Sequence, residues 1–218
     1  MLTNGFAFLL KGGPVMWPLF LCAVVSVTLM VERWFALRSV LRESRGLRRQ
    51  VHLSLTEGRV HSALSLVEMR GGPVARVLLT ALENRALERE NLEHLITEVA
   101  MEETPALGRG LNLLDTIITV APLLGLLGTV TGMIAAFQVV AISTGLSAPA
   151  EITGGVAEAL IATATGLAIA IATLVGYNSL SEKVRRIVSE MEMAATQVIN
   201  DLSLRQPEGG YVYETAGG

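Results

Sequence analysis

The carboxylate of Glu158 interrupts the long apolar stretch 151–178. Its type and position make it the side chain in the sequence that most clearly suggests a chemical role. A charged side chain at the centre of a bilayer costs roughly 2.5 to 3.5 kcal/mol, so an anchoring helix has no reason to carry one. A glutamate in a dry site binds a proton readily and can carry it, whereas one that water reaches stays ionised at little cost. The sequence leaves both interpretations open for Glu158, which lies near one end of the stretch.

Three threonines, Thr129, Thr163 and Thr165, lie in the same stretch or in the apolar run before it. A threonine hydroxyl inside a helix often only donates to the carbonyl one turn earlier. Hydroxyls that share a protein-facing surface with a carboxylate can instead hold a chain of waters or an acid from another chain. Spacing alone does not decide between these roles.

The helix that positions these residues has two unlike sides. At about 100° per residue, small and polar side chains fall on one broad arc beside Glu158, and large aliphatic side chains fall on the other. The asymmetry predicts one face toward protein or water and one toward lipid. The small and polar arc contains Ala159, Ala162, Thr163, Thr165, Gly166, Ala170 and Thr173, and the aliphatic face contains Leu160, Leu167, Ile171, Leu174 and Val175.

The preceding apolar run, 111–142, carries a stripe of small residues at spacings of three and four, which places them on one side of a helix. Small residues let a second helix backbone approach closely, and lipid has no need of them. A proline in the stripe is expected to kink the helix and free a carbonyl for a threonine or water. The predicted helix-packing residues are Pro122, Gly125, Gly128, Gly132 and Ala136, with Gly166 in the following run.

Composition agrees with a membrane protein, because 51% of the 218 residues are hydrophobic and only 17% are charged. A net charge of -3 argues against a nucleic-acid partner, which needs a basic surface. The single cysteine and three scattered histidines offer no metal-ligand spacing, so neither a metal nor another cofactor is predicted.

A polar segment, 38–110, separates the first two apolar runs and contains eleven arginines, ten glutamates and no lysine. Arginines close to membrane ends mark the cytoplasmic side, so the amino terminus is expected outside. Apolar periodicity predicts helices at about 59–68 and 74–83, and a third that carries Leu92 and Ile96. The arginine run 38–49 is expected to form a solvated helix face near lipid headgroups.

These patterns predict an all-α integral membrane protein with three transmembrane helices and long cytoplasmic helical extensions. The amphipathic stripe beyond residue 178 needs neighbours to cover it, which favours an oligomeric helical bundle. The predicted segments are a periplasmic N-terminus (1–14), a first span (15–37), a cytoplasmic helical loop (38–110), a second span with its cytoplasmic extension (111–142), a short periplasmic loop (143–151), a third span (152–178), a cytoplasmic C-terminal helix (179–205) and a disordered tail (206–218).

Two blocks carry a resemblance to a known family. APLLGLLGTVTGMIAAF, at 121–137, and GGVAEALIATATGLAIAIATLVGYN, at 154–178, resemble the second and third transmembrane helices of the ExbB/TolQ/MotA proton-channel family, with ExbB the closest branch and TolQ the second. A looser match extends to KGGPVMWPLFL at 11–21, ERW at 32–34 and GPVARVLLTAL at 72–82.

The resemblance implies a bacterial inner-membrane motor subunit with no enzymatic activity. Five copies would surround two copies of a single-span partner of ExbD or TolR type, whose transmembrane aspartate carries the proton. A TonB- or TolA-type transducer spanning the periplasm would receive the work. Thr129 in GLLGTV and Thr163 in ALIATA match threonines that line the family's proton path, and Glu158 in AEALIA matches its transmembrane glutamate. Thr165 is included in the predicted path.

Three alternatives stay beside this prediction. The small-residue stripes could serve a passive membrane scaffold, with Glu158 merely interfacial. A TolQ-type subunit for envelope maintenance has the same helices. An intramembrane enzyme is disfavoured, because the spans contain no His-Glu-x-x-His, no Gly-x-Ser-x-Gly and no Ser-His pairing.

Overall fold

The computed structural model describes residues 13–142 and 148–203, with the side chains of 13–138 and 153–203. The predicted tail 206–218 and most of the predicted N-terminal segment 1–14 lie outside these ranges. All regular elements within them are α-helices: α1 Met16–Thr56, α2 Val60–Glu68, α3 Pro73–Glu83, α4 Arg89–Leu107, α5 Leu111–Ile142 and α6 Ala148–Ser203.

Three of these helices contain an apolar window long enough to cross a bilayer, which takes about 20 residues. The windows lie within Met16–Thr56, Leu111–Gln138 and Thr153–Ser203. They confirm the prediction of an all-α membrane protein with three transmembrane helices. Helix α6 begins at Ala148, inside the stretch predicted as the loop 143–151.

The chain divides into two compact units. Of the described residues, 13–36, 109–142 and 148–182 belong to the first, which we call the apolar unit, and 37–108 and 183–203 belong to the second, which we call the charged unit. Helices α1 and α6 are long enough to contribute residues to both.

The core of the apolar unit is built where the start of α1 meets α5 and α6. Val15, Met16 and Leu19 pack with Ile117 and Ala121 of α5, and Ala162 and Ala170 of α6 complete the cluster. The aliphatic face predicted on α6 is exposed throughout, from Leu160 to Val175. A helix whose large side chains face outward while its small ones are buried is typical of a membrane bundle.

The core of the charged unit surrounds α3, which contacts both α2 and α4. Pro73 occupies the first turn of α3, where its missing N–H has no intrahelical partner to lose. Leu78 and Leu82 are fully buried, and Leu92 and Ile96 of α4 are nearly so. Helices α2 and α3 begin within one residue of the predicted starts at 59 and 74.

Polar contacts join α1 and α6 within the charged unit. Glu190 is 6% exposed; its Oε1 accepts a hydrogen bond from Nε of Arg45 at 3.0 Å, and its Oε2 accepts one from Nε of Arg48 at 3.2 Å. Arg48 also donates to Gln197 at 3.0 Å, and the ring of His52 lies 2.8 Å from the carboxylate of Asp201. The predicted solvated face agrees with Arg45, whose side chain is 58% exposed, whereas Arg48 is half-buried. Both arginines pair with Glu190, because a buried carboxylate needs opposite charge and hydrogen bonds.

Replacing Glu190 with glutamine should destabilise the charged unit by about 1 to 3 kcal/mol, since the buried position loses its charge while two arginines keep theirs. Glu192 lies on the same helix and is exposed, so Glu192→Gln should change stability by less than about 0.5 kcal/mol. Thermal unfolding of the detergent-solubilised chain, followed by circular dichroism, compares the two variants. Equal stabilities would mean that the Glu190 cluster contributes nothing to folding.

Candidate functional site

Helices α5 and α6 approach each other until their backbones touch. A Cβ atom added to Gly166 would lie 2.5 Å from the carbonyl oxygen of Ala121 and 3.2 Å from Cα of Gly125. One added to Gly125 would lie 3.0 Å from Cα of Thr163. A real Cβ atom is essentially never found 2.5 Å from a backbone atom, so only glycine fits at position 166 without a shift of one helix. A side chain at position 125 would need the facing backbone to move by a few tenths of an ångström.

The close contact continues in antiparallel register toward the other end of the two helices. A Cβ atom on Gly128 would meet Cβ of Ala162 at 2.5 Å, and one on Gly132 would meet Cβ of Ala159 at 3.0 Å. We call this contact the α5–α6 seam; it comprises Ala121, Gly125, Gly128, Gly132 and Ala136 of α5 with Gly155, Ala159, Ala162, Thr163 and Gly166 of α6.

The structure thus brings five of the six predicted packing residues into one seam and leaves Pro122 half-buried beside it. Ala121, which is fully buried, takes the place opposite Gly166. Gly155 is a further seam residue that the sequence reasoning missed, although it follows Gly154 at the start of a block of small residues. Its contact is with Ala136, where an added Cβ atom would lie 2.9 Å away.

Thr163 is the threonine whose hydroxyl crosses the seam. Its Oγ1 donates to the carbonyl oxygen of Gly125 at 2.8 Å, between residues 38 positions apart. A glycine at 125 makes this bond attainable, because no side chain shields the carbonyl from the facing helix. The hydroxyl keeps both lone pairs as acceptors while its proton is held by the carbonyl.

The other two candidate hydroxyls bond within their own helices. Oγ1 of Thr129 donates to the carbonyl of Leu126 at 2.6 Å, and Oγ1 of Thr165 donates to that of Ile161 at 2.8 Å. Both side chains are half-buried, so both can still accept a hydrogen bond from water or from an acid.

Glu158 lies outside the seam and against the start of α1. Its half-buried carboxylate faces Gly13, where an added Cβ atom would overlap Oε1 and lie 3.1 Å from Cδ. At about 100° per residue, Thr165 is about 20° from Glu158 around α6, whereas Thr163 is about 140° away. Glu158 and Thr165 therefore lie at one edge of the small and polar arc, and Thr163 lies at the opposite edge. The seam fills the centre of the arc.

The arrangement offers hydrogen-bond donors and acceptors at separate points, namely three hydroxyls, the Gly125 carbonyl and one carboxylate. Within residues 13–142 and 148–203, the structure contains no cluster of three or more histidine, cysteine, aspartate or glutamate side chains that could hold a metal ion.

Comparison with known proteins gives consistent matches. A family model described as the MotA/TolQ/ExbB proton channel family matches residues 70–193, which include the whole seam. A biopolymer transport protein of Synechocystis sp., ExbB-like 1, is 39% identical over 78% of this chain and 68% of its own length. ExbB-like 3 of the same organism is 36% identical over 78% of this chain and 81% of its own length. The biopolymer transport protein exbB1 of Vibrio cholerae is 31% identical over 83% of this chain and 80% of its own length.

Replacing Gly166 with alanine should destabilise the apolar unit by about 1 to 3 kcal/mol, because the new methyl group would collide with the backbone of α5. Gly154 provides a matched control on the same helix, since nothing lies within 4 Å of a Cβ atom added there. Gly154→Ala should be neutral or stabilising by up to about 1 kcal/mol, the usual gain from removing a helical glycine. Titration with a denaturing detergent measures the free energy of unfolding of both variants. A Gly166→Ala chain as stable as the Gly154→Ala chain would contradict the close approach.

Proposed function

This chain belongs to the MotA/TolQ/ExbB proton channel family, and we propose that it is the ExbB-type subunit of a motor driven by the proton-motive force in the bacterial inner membrane. Five copies surround a single-span partner of ExbD or TolR type that carries a transmembrane aspartate. The motor passes its work to a TonB- or TolA-type transducer, for outer-membrane import. The amino terminus faces the periplasm and the carboxy terminus the cytoplasm.

The bond between Thr163 and Gly125 carries this proposal. While its proton is held by the carbonyl, the Thr163 hydroxyl presents only lone pairs and can accept a hydrogen bond from a protonated acid. Facing an ionised carboxylate, the hydroxyl must rotate and donate to it instead. Thr163 can therefore follow the protonation state of a partner's aspartate by exchanging one acceptor for another.

Glu158 has a different role in the proposed motor. It lies near one end of its span, so a proton bound there is still far from the other side of the bilayer. We assign it the entrance of the path, where it shapes access to the acid that the partner supplies. Thr129 and Thr165 line the path as hydrogen-bond acceptors for water.

A passive membrane scaffold is the second candidate. It is favoured by the hydroxyls of Thr129 and Thr165, which bond to their own helices as purely structural threonines do. A TolQ-type envelope subunit is a third candidate, but the relatives described above are named as ExbB-type biopolymer transport proteins.

The variants Thr163→Val and Glu158→Gln distinguish a proton-driven motor from a passive scaffold. Each keeps the shape of its side chain and removes the proton chemistry. In the complex with the single-span partner, each should lower proton-driven uptake at least about tenfold, the effect of ~1.4 kcal/mol on a rate-limiting barrier. Uptake by cells and the amount of assembled complex are measured together.

Thr131→Val is the matched control, because the hydroxyl of the exposed Thr131 donates to the carbonyls of Leu127 and Gly128 in its own helix. This variant should transport normally. If Thr163→Val and Glu158→Gln assemble and transport as well as Thr131→Val, the scaffold is the better account.

A further inference from the structure

Gly13 and Glu158 meet closely although the sequence separates them by more than one hundred residues. The carboxylate of Glu158 occupies the space that a side chain at position 13 would need, with Cδ at 3.1 Å and Cγ at 3.5 Å from an added Cβ atom. The backbone of Gly13 has a φ angle of +73°, in the left-handed region that favours glycine. The φ angle favours glycine here, and the overlap means that any side chain at position 13 would displace the Glu158 carboxylate.

The turn that contains Gly13 cannot easily retreat from the carboxylate. The N–H of Met16 donates to the carbonyl oxygen of Gly13 at 3.1 Å, which ties the residue to the first turn of α1. Val15 and Met16 are buried in the core of the apolar unit, against Ala162 of α6. Packing thus fixes the turn relative to α6, and the carboxylate must fit the space that the turn leaves.

We propose that Gly13 is the positioning residue for Glu158: the glycine turn at the start of α1 sets where the carboxylate lies. The importance of that position rests on the role of Glu158 in the proposed function. A side chain at position 13 pushes the carboxylate away from the turn.

The variant that tests the contact is Gly13→Ala, examined alone and together with Glu158→Asp. The alanine methyl group displaces the glutamate, so proton-driven uptake by the complex should fall severalfold. Aspartate is shorter by one methylene group and leaves room for the methyl group. The double variant should therefore transport better than Gly13→Ala alone. A double variant no better than Gly13→Ala would overturn the proposal, because backbone strain at position 13 is not relieved by a shorter residue 158.

A second measurement reports on the position of the Glu158 carboxylate and does not depend on transport activity. An apolar carbodiimide modifies accessible protonated carboxyl groups, and mass spectrometry gives the rate at Glu158 in the purified full chain. Gly13→Ala should raise that rate severalfold. Gly72→Ala is the control, because Gly72 has a φ angle of +106° but nothing within 4 Å of an added Cβ atom. It should leave the labelling of Glu158 unchanged.

The two readouts distinguish failure of the inference from failure of the proposed function. Unchanged labelling in Gly13→Ala overturns the positioning role. Altered labelling with normal uptake supports the positioning role and contradicts the part that the proposed function gives to Glu158. If Gly13→Ala does not fold, Gly13→Asn replaces it, because asparagine tolerates a positive φ angle and still carries a Cβ atom. Unchanged labelling of Glu158 in Gly13→Asn then overturns the positioning role.

Discussion

The contact of two helix backbones without intervening side chains is the constraint on which the apolar unit depends. Membrane helices gain no hydrophobic free energy by associating with each other in lipid, so close packing and interhelical hydrogen bonds must hold them together. The α5–α6 seam provides both, with glycines and alanines at its centre and the bond from Thr163 to Gly125 at one edge. Large side chains such as Leu160 and Ile171 are left on the outer face.

The same seam determines where polar chemistry can occur on α6. Because small residues fill the centre of the buried arc along the seam, Thr163 and Glu158 lie at its two edges. Thr163 occupies one edge and meets a carbonyl of α5. Glu158 occupies the other edge and meets the start of α1. In the proposed motor the two edges have different roles. The Thr163 hydroxyl forms a hydrogen bond with an acid from another chain, and the Glu158 carboxylate shapes the entrance of the proton path.

Much of this architecture could be predicted from the sequence, because short-range periodicity carries it. The three spans, the helices of the charged unit and the division of α6 into small and aliphatic faces follow from spacing within single segments. The spacing of small residues in α5 likewise predicts that Gly125, Gly128 and Gly132 are packing residues.

Pairing between distant segments could not be predicted in the same way. Periodicity does not reveal that the carbonyl of Gly125 is the acceptor for Thr163, or that Glu190 binds Arg45 and Arg48. Gly13 belongs to a Gly-Gly-Pro sequence that marks a turn, but nothing in that sequence indicates a contact with Glu158. Such contacts depend on the register and rotation of packed helices, which a single sequence does not specify.

The central claim is that this chain forms one wall of a proton path whose titrating acid comes from another chain. Proton flux into liposomes, driven by a membrane potential and followed with an internal pH-sensitive dye, tests it directly. The purified chain alone should conduct almost no protons, since Glu158 near one end leaves the middle of the bilayer without a carrier, and adding the aspartate-bearing partner should produce flux. Substantial flux through the chain alone would contradict the account.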